Sequence, residues 1–442
     1  MDDKKLENAS RPYEISTKLH KFYRGKMEVI PRCTIRDLND FSYWYTPGVA
    51  QPCREIHADP SMADIYTNRS NTVAVVSDGT RVLGLGNIGP LAGLPVMEGK
   101  ALLFKYLGGV DAFPLCINVH SSEEIVNFVK AVTPSFGGIN LEDIETPKCF
   151  HILDSLRNSM DIPVWHDDRQ GTATIILAGI FSSLKLMDIP IENAKFVLSG
   201  AGASNLAVAD LLEISGADPG NIILLDSKGI LTKDRKIPDD NPYKQKWARI
   251  SNSSNLKGTL EHALSGADFL IALSTPGPDV IKPNEVSLMA KKSAVFACAN
   301  PVPEIWPWIA HDAGAFITAT GRSDFANQLN NSLVFPGMFR GALDVGTKRI
   351  TDSMCVKAAQ VISDRTEELG LSPEFIVPDM GDPETPIRVA LSAAKESMRL
   401  GLASHPDTLE NLEKRAREQI THARNTVKTL METNIIPPPP EY

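Results

Sequence analysis

The stretch FVLSGAGASNLAVADLLEISGADPGNIILLD, residues 196–226, decides the fold. Phe196–Ser199 is an apolar β-run and Gly200-Ala-Gly202-Ala-Ser-Asn205 a glycine-rich turn; residues 206–215 form a helix, and residues 222–225 a second strand that ends in Asp226. Strand, glycine turn, helix, strand and acid is the order a dinucleotide-binding unit needs. Gly200 permits the tight turn, and Gly202 lets the backbone approach a pyrophosphate at a helix N-terminus, beside Ala203 and Ser204. Asn205 stands where the fingerprint has its third glycine, which predicts a slightly wider gap between helix and strand. A glycine-rich turn that holds no nucleotide is the plainer alternative. Asp226 can accept hydrogen bonds from a ribose diol, which favours NAD, whereas Lys228 can balance a 2′-phosphate. The choice between NAD and NADP therefore stays open.

Downstream, strand-like runs at 269–273, 294–297 and 315–319 each end in small or polar residues, as the ligand-facing edge of a doubly wound sheet does. The charged, proline-bearing residues 232–257 read as a surface loop. After Asn330-Asn331 the chain turns to helices. The last, residues 408–430, carries Leu409, Leu412, Ala416, Ile420, Ala423, Val427 and Leu430, a narrow apolar seam that packs either on its own domain or in a subunit contact.

Upstream, the apolar helix at 172–186 follows two acidic pairs, Glu142-Asp143 and Asp167-Asp168, each at the end of an apolar run. Hard divalent cations such as Mg²⁺ and Mn²⁺ favour carboxylate oxygens, so three of these four groups can hold one. The plainer alternative is that Asp168 caps the helix that begins near Thr172. Residues 73–76 are strand-like and lead through a turn to 81–86, which reads as a hairpin partner or a glycine-rich loop. Gly84, Gly86 and Gly89 have the spacing G-x-G-x-x-G but lack the following acid, so no second dinucleotide site is assigned. A helix over 96–107 carries Lys100 and Lys105. Lysine is ordinarily a solvated surface group, but among apolar neighbours and beside a second cation its pKa can fall far enough for it to serve as a base. Tyr45, in an aromatic cluster closed by Pro47-Gly48, reads by default as a core aromatic.

These segments predict an α/β protein: an N-terminal α/β substrate domain over 1–165, a Rossmann-type doubly wound dinucleotide-binding domain over 166–330, and a mainly helical segment over 331–442. The chain of 442 residues has 43% hydrophobic and 22% charged residues and a formal net charge of −9, which argues against capture by nucleic acid or an anionic membrane. Six scattered cysteines without C-x-x-C spacing suit reduced thiols in the cytoplasm. The acidic N-terminus resembles no signal or transit peptide, and no run of eighteen apolar residues predicts a membrane span.

Eight blocks in order resemble the malic enzymes, oxidative decarboxylases of malate, in their shorter, bacterial-like form. They are YTPGVA (45–50), SDGTRVLGLGNIGP (77–90), PVMEGKALLFK (95–105), NLEDIETP (140–147), HDDRQGTA (166–173), GAGASN (200–205), ANPVPE (299–304) and NNSLVFPG (330–337). The resemblance implies Glu142, Asp143 and Asp168 as metal ligands, Lys100 as general base with Asp167 beside it, and Tyr45 as general acid. It implies Arg81, Asn300 and Asn331 as holders of the substrate carboxylates, and Gly200, Gly202, Ala203, Ser204, Asp226, Lys228 and Asn300 as the coenzyme site. It further implies L-malate as substrate, NAD or NADP as coenzyme, Mg²⁺ or Mn²⁺ as metal, and a homodimer or higher homo-oligomer. Asn205 and Arg169 depart from the family's usual residues, which bears on affinity more than on activity. Two alternatives remain: a malolactic enzyme that converts malate to lactate with NAD retained, and a non-catalytic nucleotide-binding protein.

Overall fold

The computed structural model describes residues 2–238 and 241–441, with side chains from residue 11 onward. A first sheet, all parallel, has the order β2-β1-β3-β4, formed by β1 (Thr72–Ser77), β2 (Asp111–Cys116), β3 (Gly138–Leu141) and β4 (Val164–His166). Every residue of β1 and β3 is buried, as parallel strands covered on both faces require. β1 has both edges occupied by β2 and β3, so residues 81–86 have no strand to pair with. They close into a glycine-rich loop through a single Val82–Gly86 bridge, which is the second of the two readings.

The second sheet has the order β10-β9-β8-β5-β6-β7: β5 (Phe196–Ser199), β6 (Ile222–Asp226), β7 (Gly229–Ile230), β8 (Phe269–Ala272), β9 (Ala294–Ala297) and β10 (Ile317–Thr320). All pairs are parallel except β6 with the short β7. Its strands alternate strictly. Phe196, Leu198, Phe269, Ile271 and Phe296 join the large core shared with the first sheet, whereas Val197, Leu270, Val295 and Ala297 join a separate core on the opposite face. Phe196 and Phe269 stack with ring centroids 5.0 Å apart. The strand order reverses at β5, between β8 and β6, and such switch points are where ligands enter open α/β sheets.

The helix Thr172–Met187 joins the two sheets, and twelve of its residues are buried. Counted from Asp167 it is long and apolar enough to cross a membrane, but 78% of that window is covered by the rest of the chain, the signature of a core helix. Residues 242–250, expected as loop, form a helix because Trp247 is fully buried and its indole N–H finds Asp210. The C-terminal helix, Leu409–Glu432, packs on this same chain through Leu412, Ala416, Ile420 and Ala423, while Leu409 at its start is exposed. Its backbone runs so close to the helix Gly89–Gly108 that a Cβ on Gly109 would meet the Gln419 carbonyl at 2.8 Å. The N-terminal helix ends at Tyr23, and Gly25, at φ +123°, turns the chain out of it.

Candidate active site

The loops after β1, β3 and β4 and those after β5, β8 and β9 meet at one cleft. Lys100, buried on the helix Gly89–Gly108, points its Nζ at Asp167 Oδ2 (2.6 Å) and Glu142 Oε1 (3.0 Å), over the ring of Phe335 at 4.3 Å. Asp167 Oδ1 accepts a hydrogen bond from Trp165 Nε1 (2.8 Å), and Glu142 Oε2 accepts one from Asn140 Nδ2 (2.8 Å). A π-helical turn over Asp167–Gly171 aims Asp167 at Lys100 and Asp168 at Asp143. Such turns recur at functional sites. The alternative of Asp168 as a simple helix cap is not what forms: its Oδ2 accepts the Asp143 N–H (2.8 Å), a residue outside the helix.

Asp143 adopts a left-handed backbone, φ +55°, uncommon for a residue with a side chain. This conformation lets its N–H reach Asp168 while its carbonyl accepts the Arg81 N–H (3.0 Å), so one strained residue joins the Arg81 loop to the acidic pair. One oxygen from each of Glu142, Asp143 and Asp168 lies within 4.8 Å of the others, and Asp143 Oδ2 is buried without a partner. Burial pushes all four carboxyls above their ordinary values, with mutual repulsion adding to it; Asp143 is pushed up to about 8. Buried acids that outnumber their cation, with an orphaned oxygen among them, fit a hard divalent cation. Burial would lower the pKa of Lys100, but the charges of Asp167 and Glu142 outweigh it and raise the pKa. The fall expected of a base beside a second cation is therefore reversed here, because the neighbours are anions.

Arg81 is exposed, yet its charge is close enough to lower the Asp168 pKa against burial. Its loop is seated on the far domain: a Cβ on Gly84 would lie 2.1 Å from the Asn300 carbonyl oxygen. Asn331 borders the same cluster, since a Cβ on Gly171 would stand 2.0 Å from Asp167 Oδ1 and 3.2 Å from Asn331 Cβ. Tyr45 is not brought in. It is 71% exposed, in an N-terminal segment where Leu38, Phe41, Tyr43 and Trp44 are also exposed, so the default of a core aromatic is wrong for this chain alone. Asn140, Trp165, His166 and Phe335 were not foreseen. Each lies inside or beside a quoted acidic or asparagine block, but which strand face it takes is not written in the block. His166 is fully buried with neither ring nitrogen hydrogen-bonded, and burial lowers its pKa to about 3, so it is neutral. Arg169 turns away from the acids and lies over Tyr243 (4.1 Å) and Phe150 (5.2 Å), near Asp210.

The glycine turn opens onto this cluster. At φ +97°, Gly200 leaves no room for a side chain, because a Cβ would sit 2.8 Å from the Leu273 carbonyl oxygen. A Cβ on Gly202 would meet nothing within 4 Å, so open space lies before the helix Ala203–Ile214, as a phosphate cradle requires. Asn205 does not wedge helix from strand. It is fully buried and its Nδ2 donates to the carbonyls of Ser199 (2.9 Å) and Gly200 (3.0 Å), tying the turn down. Ser204 Oγ donates to the Asp168 main-chain oxygen (2.8 Å), which joins the turn directly to the acidic cluster.

Two family models match the chain on either side of the acidic cluster: "Malic enzyme, N-terminal domain" over residues 24–126 and "Malic enzyme, NAD binding domain" over residues 169–398. The chain belongs to the malic enzyme family. Members of this family are oxidoreductases that decarboxylate malate while reducing NAD or NADP. The NAD-dependent malic enzyme of Geobacillus stearothermophilus is 46% identical over 86% of this chain and 78% of its own length. The NADP-dependent malic enzyme of Salmonella typhimurium is 42% identical over 86% of this chain and 52% of its own. Among solved structures, the malic enzyme of Entamoeba histolytica superposes with a TM-score of 0.94 at 43% identity, covering 96% of this chain and 89% of that one. That of Pyrococcus horikoshii gives 0.87 at 47% identity, covering 92% and 94%.

Proposed function

We propose that the chain carries out the oxidative decarboxylation of L-malate to pyruvate and CO₂ with reduction of NAD or NADP, and that Glu142, Asp143 and Asp168 hold a divalent cation, Mg²⁺ or Mn²⁺, for it. The observation that carries this is the Ser204–Asp168 hydrogen bond, because it sets an acidic cluster with room for a cation at the mouth of a nucleotide cradle. Lys100 Nζ accepts the proton of the C2 hydroxyl, and Asp167 holds the ammonium so formed. A bound cation would supply Lewis acidity toward the 2-hydroxy acid and offset the negative charge that raises the Lys100 pKa, and a bound coenzyme would supply the acceptor for the C2 hydride. Arg81 grips the C1 carboxylate, which stays, and Asn300 and Asn331 orient the acid so that the C4 carboxylate leaves.

Tyr45 is the proton donor to C3 in this scheme. Its exposure among exposed apolar neighbours supports docking of that segment onto a second copy of the chain, in a homodimer or higher homo-oligomer. Six unpaired cysteines support a reducing compartment, the cytoplasm. The net charge supports neither nucleic acid nor anionic membrane as a partner. Initial rates with L-malate and Mn²⁺, with NAD and NADP in separate runs, test the proposal; no net reduced coenzyme with either overturns it. A relative 44% identical is the "Bifunctional malic/malolactic enzyme" of Bacillus subtilis, so lactate is measured in the same runs. Lactate formed without net reduced coenzyme would move the reading to the malolactic reaction.

A further inference from the structure

Asp226 ends β6, where a dinucleotide domain presents an acid to the adenosine ribose. An ionised carboxylate has two oxygens and about four lone-pair sites to offer. Here all four are taken. Arg235 Nη2 donates to Oδ1 and to Oδ2 (2.5 Å each), the Lys228 N–H donates to Oδ1 (2.8 Å), and Lys244 Nζ donates to Oδ2. The three side chains are largely buried, at 13–18% exposure. Burial would raise the Asp226 pKa, but the hydrogen bonds from Arg235 and Lys244 hold it below the ordinary carboxylate value, so the acid stays ionised and bound. Arg235 has a second anchor: its Nη1 donates to the carbonyls of Gly229 (3.1 Å) and Ile230 (3.4 Å), which fixes the guanidinium independently of the carboxylate.

A ribose diol would thus meet an acceptor already saturated. A 2′-phosphate would meet two fixed cations and brings oxygens that accept charge-assisted hydrogen bonds from the protons left on Lys244 Nζ and Arg235 Nε. We propose that Asp226 is not the diol acceptor but the anchor that sets Arg235 and Lys244 as a binding site for the 2′-phosphate, so that the chain prefers NADP over NAD. This rests on the assignment of the second sheet as a coenzyme domain and names which coenzyme it takes. It reverses the preference for NAD that an acid at the end of the second strand suggests on its own.

The test is calorimetric titration of the full chain with adenosine 2′,5′-bisphosphate and with 5′-AMP, which needs neither malate nor metal. The bisphosphate is expected to bind at least about tenfold tighter, an advantage that shrinks as salt is raised. Arg235→Ala and Lys244→Gln should each bring the bisphosphate affinity down toward that of 5′-AMP; the second keeps a polar side chain and leaves the Arg235 anchors in place. Asp226→Asn should keep the preference for the bisphosphate. Equal binding of the two ligands, or a preference that survives both cation variants, overturns the proposal and leaves the coenzyme domain standing. Loss of 5′-AMP affinity alone in Asp226→Asn overturns it as well, because that is the behaviour of a diol acceptor. Failure of both ligands to bind the unaltered chain brings down the nucleotide assignment and this proposal together.

Discussion

Two of the chain's clusters of acid and base, one at the ends of β3 and β4 and one at the end of β6, differ in sign and in burial. At the ends of β3 and β4, four carboxylates face one lysine, and Lys100, Glu142, Asp143 and Asp167 are all buried. At the end of β6, one carboxylate faces Arg235 and Lys244 in a site still in touch with solvent. Excess buried negative charge calls for a cation; excess positive charge calls for an anion. The two ends of a coenzyme-dependent site are thus distinguished by charge balance rather than by residue type, since both consist of aspartates and basic side chains.

The largest effect is expected where the buried cluster loses its one cation. Lys100→Ala removes the proposed base and leaves Asp167 and Glu142 without their partner, so kcat for malate oxidation should fall by about a thousandfold or more. Reduction of pyruvate-like ketones should be impaired as well. Steady-state rates check this, and substantial retained oxidation would remove Lys100 from its role. Asp168→Asn is the converse change, one negative charge fewer in the same cluster. Mn²⁺ affinity, measured by calorimetry, should weaken by about 100-fold. Unchanged affinity would take Asp168 out of the ligand set.

How much of this was legible in the sequence follows from the distance along the chain between interacting groups. The glycine turn and the two acidic pairs are contiguous, and strand-end chemistry reads directly from such blocks. The Lys100–Asp167 pair spans 67 residues and was reached only through resemblance to a family. Trp165 and Phe335 were missed because a strand or helix residue reveals its facing only when its neighbours are placed. The saturation of Asp226 was hidden because its partners lie 9 and 18 residues on, in a stretch whose charges and prolines read as loop. Trp247, a single buried indole, is what folds Lys244 onto a helix there. Tyr45 shows the opposite failure: its motif is legible in sequence, but the residue is exposed and stands apart from the acidic cluster in this chain.

The pH dependence of stability sharpens the contrast further. In the folded, metal-free chain Asp143 keeps its proton up to about pH 8, against an ordinary value of 3.8 in the unfolded chain. Below that ordinary value both states are protonated. Between the two values only the unfolded state has ionised, so stability falls as pH rises through this window and levels off above it. Glu142, Asp167 and Asp168 shift in the same direction. His166, lowered to about 3 from 6.5, acts in the opposite sense only below its ordinary value, so the range from pH 6.5 to 8 isolates the acids. Thermal unfolding of the metal-free protein should show Tm falling across that range, less steeply in Asp168→Asn. A flat or rising Tm would mean that the acids are not held together as described.

The smallest expected effect compares one hydrogen-bonding contact in each cluster. Trp165→Phe keeps most of the buried ring volume but leaves Asp167 Oδ1 without its donor in a site closed to water. A hydrogen bond to a buried charged group is worth about 1.5–3 kcal/mol, so denaturant unfolding should register a loss of that order. Lys244→Gln removes a charged donor from Asp226, yet there the Arg235 guanidinium and the Lys228 N–H remain, and solvent screens what is lost. A smaller cost, about 1 kcal/mol, is expected, because Asp226 keeps three of its four hydrogen bonds. The two substitutions should therefore separate opposite ways: the first weakens the fold, whereas the second spares the fold and weakens the grip on a 2′-phosphate. Equal stability losses would mean that the basic cluster is as structural as the acidic one, and its spare positive charge would then be part of the architecture rather than an opening for a ligand.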